Sequence, residues 1–175
     1  WVEVPFEEGK TKVVAPAPLQ SHEEGYAIEM AENVIAFSDP FLRHRARVRS
    51  LQILVADDHA VNRMVLQRLL QKAGHRVTSV NGGEEVLDAM SMNDYDAVIV
   101  DLHMPGISGL DLLKQLRVMQ AGGGPRTPVV VLSADVTPES IQRCQQAGAH
   151  TFMAKPVVAG KLLESLAGIA ANPRG

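Results

Sequence analysis

Charged and hydroxyl side chains stand at the ends of four short apolar runs in this chain. Asp57 and Asp58 follow LQILVA, Asp101 follows DAVIV, Ser133 follows TPVVVL, and Lys155 follows TFMA. Apolar runs without polar alternation are typical of strands buried on both faces of a parallel sheet. Because the carboxyl ends of parallel strands meet at one edge, we expect these side chains to lie together.

The expected cluster limits the chemistry that this edge can perform. Three neighbouring carboxylates repel one another unless a cation joins them, and their hard oxygen ligands favour Mg²⁺ over zinc. Lys155 supplies a point charge suited to phosphate oxygens. A carboxylate can act as a nucleophile and form an aspartyl phosphate, whose transfer chemistry depends mainly on positioning and charge.

Segments with helical periodicity separate the apolar runs. One apolar helical face is formed by Val61, Met64, Val65, Leu69 and Ala73, another by Gly109, Leu112, Leu113 and Leu116, and a third by Val158, Leu162, Leu166 and Ile169. Thr137-Pro138 and Asp39-Pro40 predict two helix starts. With a strand at 75–80 and a helix at 83–91, this alternation predicts an α/β fold with a doubly wound five-stranded parallel sheet.

Composition changes near residue 50, so we predict a linker over 1–50 and a domain over 51–171. The segment FLRHRARVRS contains four arginines and His44 without an acid. A nucleic-acid contact is one interpretation, but aromatic interleaving is absent and a solvated face on a tether is the favoured one.

Global composition excludes several classes of protein. The formal charge of −3 provides no field for nucleic acid or acidic lipid, and the single cysteine, Cys144, rules out an internal disulfide. No apolar stretch reaches the roughly 18 residues needed to cross a bilayer. Because the chain starts at Trp1, we expect a fragment of a larger protein. The lone cysteine suits a reducing compartment, so we expect the fragment to be cytoplasmic and without membrane contact of its own.

The motif-bearing segments resemble response-regulator receiver domains. The similar segments are VADDHAVNRMVLQRLLQKAGH, YDAVIVDLHMPGISGLDLL, TPVVVLSAD and GAHTFMAKP, which appear in the family's order over residues 51–170. The acid pair or the KP pair alone would be a weak signal, but the joint match is specific. The resemblance implies the flavodoxin-like receiver fold with strand order 2-1-3-4-5.

The resemblance also implies a role for each motif residue. Asp101 would be the phosphorylated residue, and Asp57, Asp58 and Asp101 would hold Mg²⁺ together with the backbone carbonyl of His103. Ser133 would hydrogen-bond the phosphoryl group, and Lys155 would pair with it.

Phe152 occupies the position of the family's aromatic switch residue, which moves as Ser133 closes on the phosphate. It lacks the tyrosine hydroxyl common there, so such a switch would depend on packing alone. The family's Lys155-Pro156 bond is usually cis.

The flanking segments resemble those of hybrid sensor kinases of diffusible-signal-factor quorum sensing. WVEVPF is similar to the last strand of a histidine-kinase ATP-binding domain. The implied partners are the histidine kinase core, a histidine phosphotransfer domain, and the crotonase-fold synthase of the signal. The resemblance implies a parent kinase anchored in the inner membrane, whereas the fragment itself would accept phosphate without turning over a substrate.

Other functions compete with phosphoryl relay. A binding module that restrains the synthase, with phosphorylation as a switch, is compatible with relay. An aspartyl phosphatase of the haloacid-dehalogenase type needs an Asp where His103 stands, and a flavin phosphate would be repelled by the acidic loop after the first strand. His59 and His103 flank the carboxylates but lack a zinc-binding spacing.

Overall fold

The computed structural model describes residues 39–124 and 126–172. The prediction of a kinase-domain strand at WVEVPF lies outside the described residues. The described residues from Pro40 onward belong to one compact unit.

Five parallel strands form one sheet in the order β2-β1-β3-β4-β5, as predicted. The strands are β1 (Gln52–Ala56), β2 (Arg76–Val80), β3 (Ala97–Asp101), β4 (Val129–Ser133) and β5 (Thr151–Ala154). The described helices are α1 (Pro40–Arg47), α2 (Ala60–Lys72), α3 (Gly83–Met92), α4 (Gly109–Gln120), α5 (Pro138–Gln146) and α6 (Ala159–Ala171). Every residue of β3 and β4 is buried, because helices cover both faces of these central strands.

Alternate residues of each strand enter cores on opposite sides of the sheet. Ile53 and Val55 of β1 pack with α2 and α6, whereas Leu54 and Ala56 pack with α3, α4 and α5. Consecutive strand side chains point to opposite faces, so one continuous apolar run serves both cores.

The predicted helix starts at Pro138 and Pro40 are confirmed. The Thr137 hydroxyl accepts a hydrogen bond from the Ser140 N–H, and Pro138 occupies the first turn, where no helical donor is lost.

The apolar face predicted for α2 was wrong in part. Leu66, Leu70 and Ala73 are buried, but Val61 and Val65 are 66% and 54% exposed. Two apolar faces compete on this helix, and the sheet contacts the one that begins at Leu66.

Helix α1 lies within the range that we assigned to the linker, yet it packs on the same side of the sheet as α2 and α6. Phe41 contacts that core, and the Lys72 ammonium lies 4.5 Å from the centre of its ring. His44 is buried, and its Nε2 lies 2.6 Å from Nε2 of the buried His75. The domain boundaries themselves stay a prediction.

The two histidines form a directed hydrogen-bond chain. The Leu51 N–H donates to His75 Nδ1 over 3.0 Å, so the neutral His75 ring carries its proton on Nε2 and donates to His44. Burial lowers the pKa of His44. Burial and then the neighbouring His44 lower the pKa of His75 to about 4, against the opposing effect of Asp96. The pair is therefore neutral at pH 7.

Candidate functional site

The predicted site residues end their strands at one edge of the sheet. Asp101 and Ser133 are the last residues of β3 and β4, Asp57 follows β1, and Lys155 follows β5. The parallel pairing places Asp101 opposite Leu132 and Ser133 opposite Ala154, so the strand ends are aligned. The side chains therefore lie at the carboxyl ends of the strands, the edge at which open parallel sheets bind ligands.

Lys155 joins the carboxylates across the edge. Its Nζ lies 2.8 Å from Asp101 Oδ2 and 3.5 Å from Asp57 Oδ2. Burial disfavours the ammonium, but the hydrogen bond to Asp101 and the charges of Asp101 and Asp57 outweigh that effect and raise the pKa of Lys155. The lysine is therefore held as a cation facing two buried acids.

The carboxylates fit a hard cation. One ligand atom from each of Asp57, Asp58, His59 and Asp101 lies within 4.8 Å of the others. Asp57 Oδ2 and Asp58 Oδ1 are buried and accept no hydrogen bond from the residues that the structure describes. Buried carboxylate oxygens without donors are costly, and a divalent cation with oxygen preference would satisfy them.

Backbone amides orient the two buried acids. The N–H of His59 donates to Asp57 Oδ1 over 2.8 Å, and the N–H of His103 donates to Asp101 Oδ1 over 3.1 Å. In each acid, Oδ1 is therefore held by the backbone N–H two residues later, and Oδ2 faces Lys155.

Ser133 is fully buried beside the loop between β4 and α5. Its Oγ accepts a hydrogen bond from the N–H of Asp135 over 2.9 Å. Asp135 in turn accepts from the Ser140 hydroxyl and the Thr137 N–H, and these hydrogen bonds lower the pKa of Asp135. The loop that follows Ser133 is therefore held by internal hydrogen bonds.

Phe152 lies on β5, opposite Val131 of β4, and is partly buried. Its ring packs against the core on the side of α3, α4 and α5. The Lys155-Pro156 peptide is cis, as the family resemblance implied.

One residue of this edge escaped the sequence analysis. Arg63 on α2 donates from Nη1 to the backbone carbonyl of Asp57 over 2.6 Å. Its closeness to the acid pair in sequence is the only signal that would have suggested it. His59, which the sequence analysis noted beside the carboxylates, has its Nδ1 3.2 Å from Asp58 Oδ1, although its ring is 70% exposed.

Comparisons with known proteins agree with this geometry. The model of the response regulator receiver domain family matches residues 53–167. The chain therefore belongs to the receiver domain family of response regulators.

A curated relative is the sensory/regulatory protein RpfC of Xanthomonas campestris, 63% identical over 99% of this chain and 24% of its own length. The chain thus spans about a quarter of that relative.

Two solved receiver structures are similar to the chain. The receiver domain of sensor histidine kinase PA1611 from Pseudomonas aeruginosa, with magnesium coordinated in its active-site cleft, is 27% identical, with a TM-score of 0.64 over 71% of this chain and all of that one. The response regulator TrrA of Thermotoga maritima, in complex with Mg²⁺ and BeF, is 30% identical, with a TM-score of 0.60 over 67% of this chain and 97% of its own.

Among the described helices, none combines the length and apolar character required to cross a bilayer.

Proposed function

We propose that this receiver is the phosphoacceptor of a hybrid sensor histidine kinase and that Asp101 takes the phosphoryl group in a Mg²⁺-dependent reaction. The observation that carries the proposal is the contact of Lys155 with Asp101 at 2.8 Å beside the acid pair. If Lys155 and Asp101 formed an ion pair with a structural role alone, the fold would not need Asp57 and Asp58, each with a buried oxygen that lacks a hydrogen bond, at the same edge.

Asp101 acts as nucleophile toward a phosphohistidine. An oxygen–phosphorus bond to its carboxylate forms while the phosphorus–nitrogen bond of the donor breaks, and the imidazole nitrogen keeps the electron pair. Mg²⁺ held by Asp57, Asp58, Asp101 and the His103 carbonyl would offset charge on the phosphoryl oxygens. Lys155 transfers its contact from Asp101 to a phosphoryl oxygen, and the Ser133 hydroxyl donates a hydrogen bond to another.

Asp101→Asn tests this assignment. We expect the variant to lose Mg²⁺-dependent labelling by acetyl phosphate, because an amide is not a nucleophile toward phosphorus. Intact-protein mass spectrometry measures the labelled fraction. Asp88→Asn, an exposed acid of α3, is the matched control and should be labelled like the parent. Labelling that persists in Asp101→Asn would overturn the assignment.

An exposed apolar face beside the acids supports docking of a histidine phosphotransfer domain. Val61, Met64 and Val65 lie at helical spacing on α2, which begins directly after His59, and are 66%, 43% and 54% exposed. Apolar patches of this kind are typical of protein interfaces. A phosphotransfer helix seated there would present its histidine to Asp101, and the kinase core would present its own in the same way.

The second candidate function is a docking module that restrains the diffusible-signal-factor synthase, a crotonase-fold enzyme, within quorum sensing. The 63% identity to RpfC favours this candidate, because it extends over 99% of the chain, beyond the receiver motifs. Under this proposal the parent kinase is anchored in the inner membrane and the receiver works in the cytoplasm.

Binding of the purified synthase to three variants separates the candidates. If docking is the function, Asp101→Asn should still bind the synthase. A variant of the exposed apolar face of α2, formed by Val61, Met64 and Val65, should lose synthase binding. Met64→Asp on α2 tests that face, and Val118→Asp, 76% exposed on α4, is the matched control. Absence of synthase binding by the parent chain would remove the second candidate and leave phosphoryl relay.

A further inference from the structure

Arg63 contacts the acid pair from outside the cluster of carboxylates. It lies in the first turn of α2, is half-buried, and donates from Nη1 to the backbone carbonyl of Asp57 over 2.6 Å. Its own N–H donates to the carbonyl of His59 as part of the helix. The side chain therefore bridges α2 and the end of β1 across the loop that contains both acids.

The other polar atoms of Asp57 are also held, with one exception. Its N–H donates to the Val80 carbonyl of β2 over 3.3 Å, and its Oδ1 accepts from the His59 N–H over 2.8 Å. Oδ2 accepts no hydrogen bond among the described residues and faces Lys155 at 3.5 Å. The backbone N–H and carbonyl of Asp57 and its Oδ1 are all hydrogen-bonded, so the direction in which Oδ2 points is fixed.

We propose that Arg63 is a positioning residue that sets the Mg²⁺ affinity of the site by fixing the Asp57 peptide. This inference rests on the proposed function, since it concerns the same cation site. Hydrogen-bond partners of metal ligands commonly control metal affinity without touching the metal. A guanidinium is suited to this task because it remains charged and its donors have fixed directions.

The charge of Arg63 alone would have the opposite effect. A second cation close to the carboxylates repels Mg²⁺, so a role limited to charge predicts tighter Mg²⁺ binding when the arginine is removed. A positioning role predicts weaker binding, because Asp57 Oδ2 loses its fixed direction. The sign of the change in Mg²⁺ affinity therefore distinguishes the two roles.

Calorimetric titration of the metal-free protein with MgCl₂ tests the proposal. We expect Arg63→Met to raise the Mg²⁺ dissociation constant roughly 10-fold. Arg63→Lys keeps a charged donor, so its Mg²⁺ dissociation constant should lie between those of Arg63→Met and the parent. Arg68→Met, on an exposed position of the same helix, should bind Mg²⁺ like the parent.

A second readout separates positioning from general damage. At saturating Mg²⁺, labelling of Arg63→Met by acetyl phosphate should return close to the parent rate, and thermal unfolding without Mg²⁺ should be nearly unchanged. Equal or tighter Mg²⁺ binding by Arg63→Met would overturn the proposal. If that variant does not fold, equal affinity of Arg63→Lys and the parent would overturn it.

The two proposals can fail separately. Normal Mg²⁺ binding by the parent without labelling of Asp101 would refute phosphoryl transfer and leave the role of Arg63 intact. Labelling of Asp101 with an affinity that is insensitive to Arg63 would refute the positioning role alone.

Discussion

At the scale of single residues, the site concentrates negative charge that the fold must tolerate without a metal. Asp57 is 1% exposed, and Lys155 faces both it and Asp101. Asp58 and Asp101 contribute oxygens within 4.8 Å of its own. The Lys155 ammonium faces two of the three carboxylates and the Arg63 guanidinium hydrogen-bonds the backbone at Asp57, so part of the repulsion among the carboxylates remains in the metal-free protein.

We expect Asp57→Asn to stabilise the metal-free protein while weakening the response to Mg²⁺. Removing one of the repelling charges should raise the free energy of unfolding by about 1 kcal/mol, roughly the energy of two like charges about 4 Å apart in water. The amide oxygen can still accept the His59 N–H. Urea unfolding with and without MgCl₂ measures both effects, because a ligand that binds only the folded state stabilises it.

Asp88→Asn is the control for a general effect of removing an acid, and it should change neither quantity. A less stable Asp57→Asn in the absence of Mg²⁺ would contradict the expected repulsion.

The chemistry of individual residues could be predicted where it depends on strand ends. Asp57, Asp101, Ser133 and Lys155 meet because parallel strands deliver their last residues to one edge, which the apolar runs reveal. The contacts of Arg63 and His59 depend on how a helix and a loop leave that edge. No spacing in the sequence encodes those side-chain directions.

At the scale of elements, the start of α4 packs closely against the end of β3. A Cβ added to Gly109 would lie 2.7 Å from the Asp101 carbonyl oxygen and 2.8 Å from Leu102 Cα. The Gly109 N–H also donates to the Leu102 carbonyl over 2.9 Å. The helix can approach the backbone of Asp101 only because this residue has no side chain.

Gly109→Ala should therefore destabilise the protein by roughly 1–3 kcal/mol, as overpacking does. Labelling of Asp101 should also slow, because α4 must move away from the end of β3. Thermal unfolding and the labelling rate measure the two effects.

Gly168→Ala provides the matched control on α6, where an added Cβ meets no atom within 4 Å. Helix propensity predicts that it stabilises the protein by about 0.5–1 kcal/mol. Equal effects of the two substitutions would contradict the role of close packing at Gly109.

Elements with strong patterns were predictable, and those fixed by tertiary contacts were not. The strands from Ala97 to Asp101 and from Val129 to Ser133 follow from their unbroken apolar runs. The buried face of α2 did not follow, because Val61 and Leu66 are equally apolar and only the sheet selects between them. The packing of α1 did not follow either, because the arginines of this helix indicate an exposed segment and only His44 is buried.

At the scale of the whole molecule, the buried pair of His44 and His75 makes folding sensitive to acid. The pKa of His75 is lowered from 6.5 to about 4 in the folded protein. The unfolded chain thus binds more protons below pH 6.5, and stability falls as the pH decreases from about 6.5 toward 4. The shift of His75 alone corresponds to a loss of roughly 3 kcal/mol.

Urea unfolding at pH 7.5 and pH 5 measures this loss. His75→Gln keeps an acceptor for the Leu51 N–H but cannot titrate, so the variant should lose less stability than the parent over the same interval. His150→Gln, an exposed histidine, should leave the pH dependence unchanged. An identical loss in His75→Gln and the parent would contradict the assignment.

Helix α1 is linked to the sheet by the hydrogen bond between His44 and His75, so a force applied to the preceding chain would act on the domain at this point. A pull or twist applied at Pro40 reaches His75 through His44, and His75 directly precedes β2, an outer strand of the sheet. The last residue of β2, Val80, accepts the N–H of Asp57. Such a load would therefore have a hydrogen-bonded route from Pro40 to the acid pair.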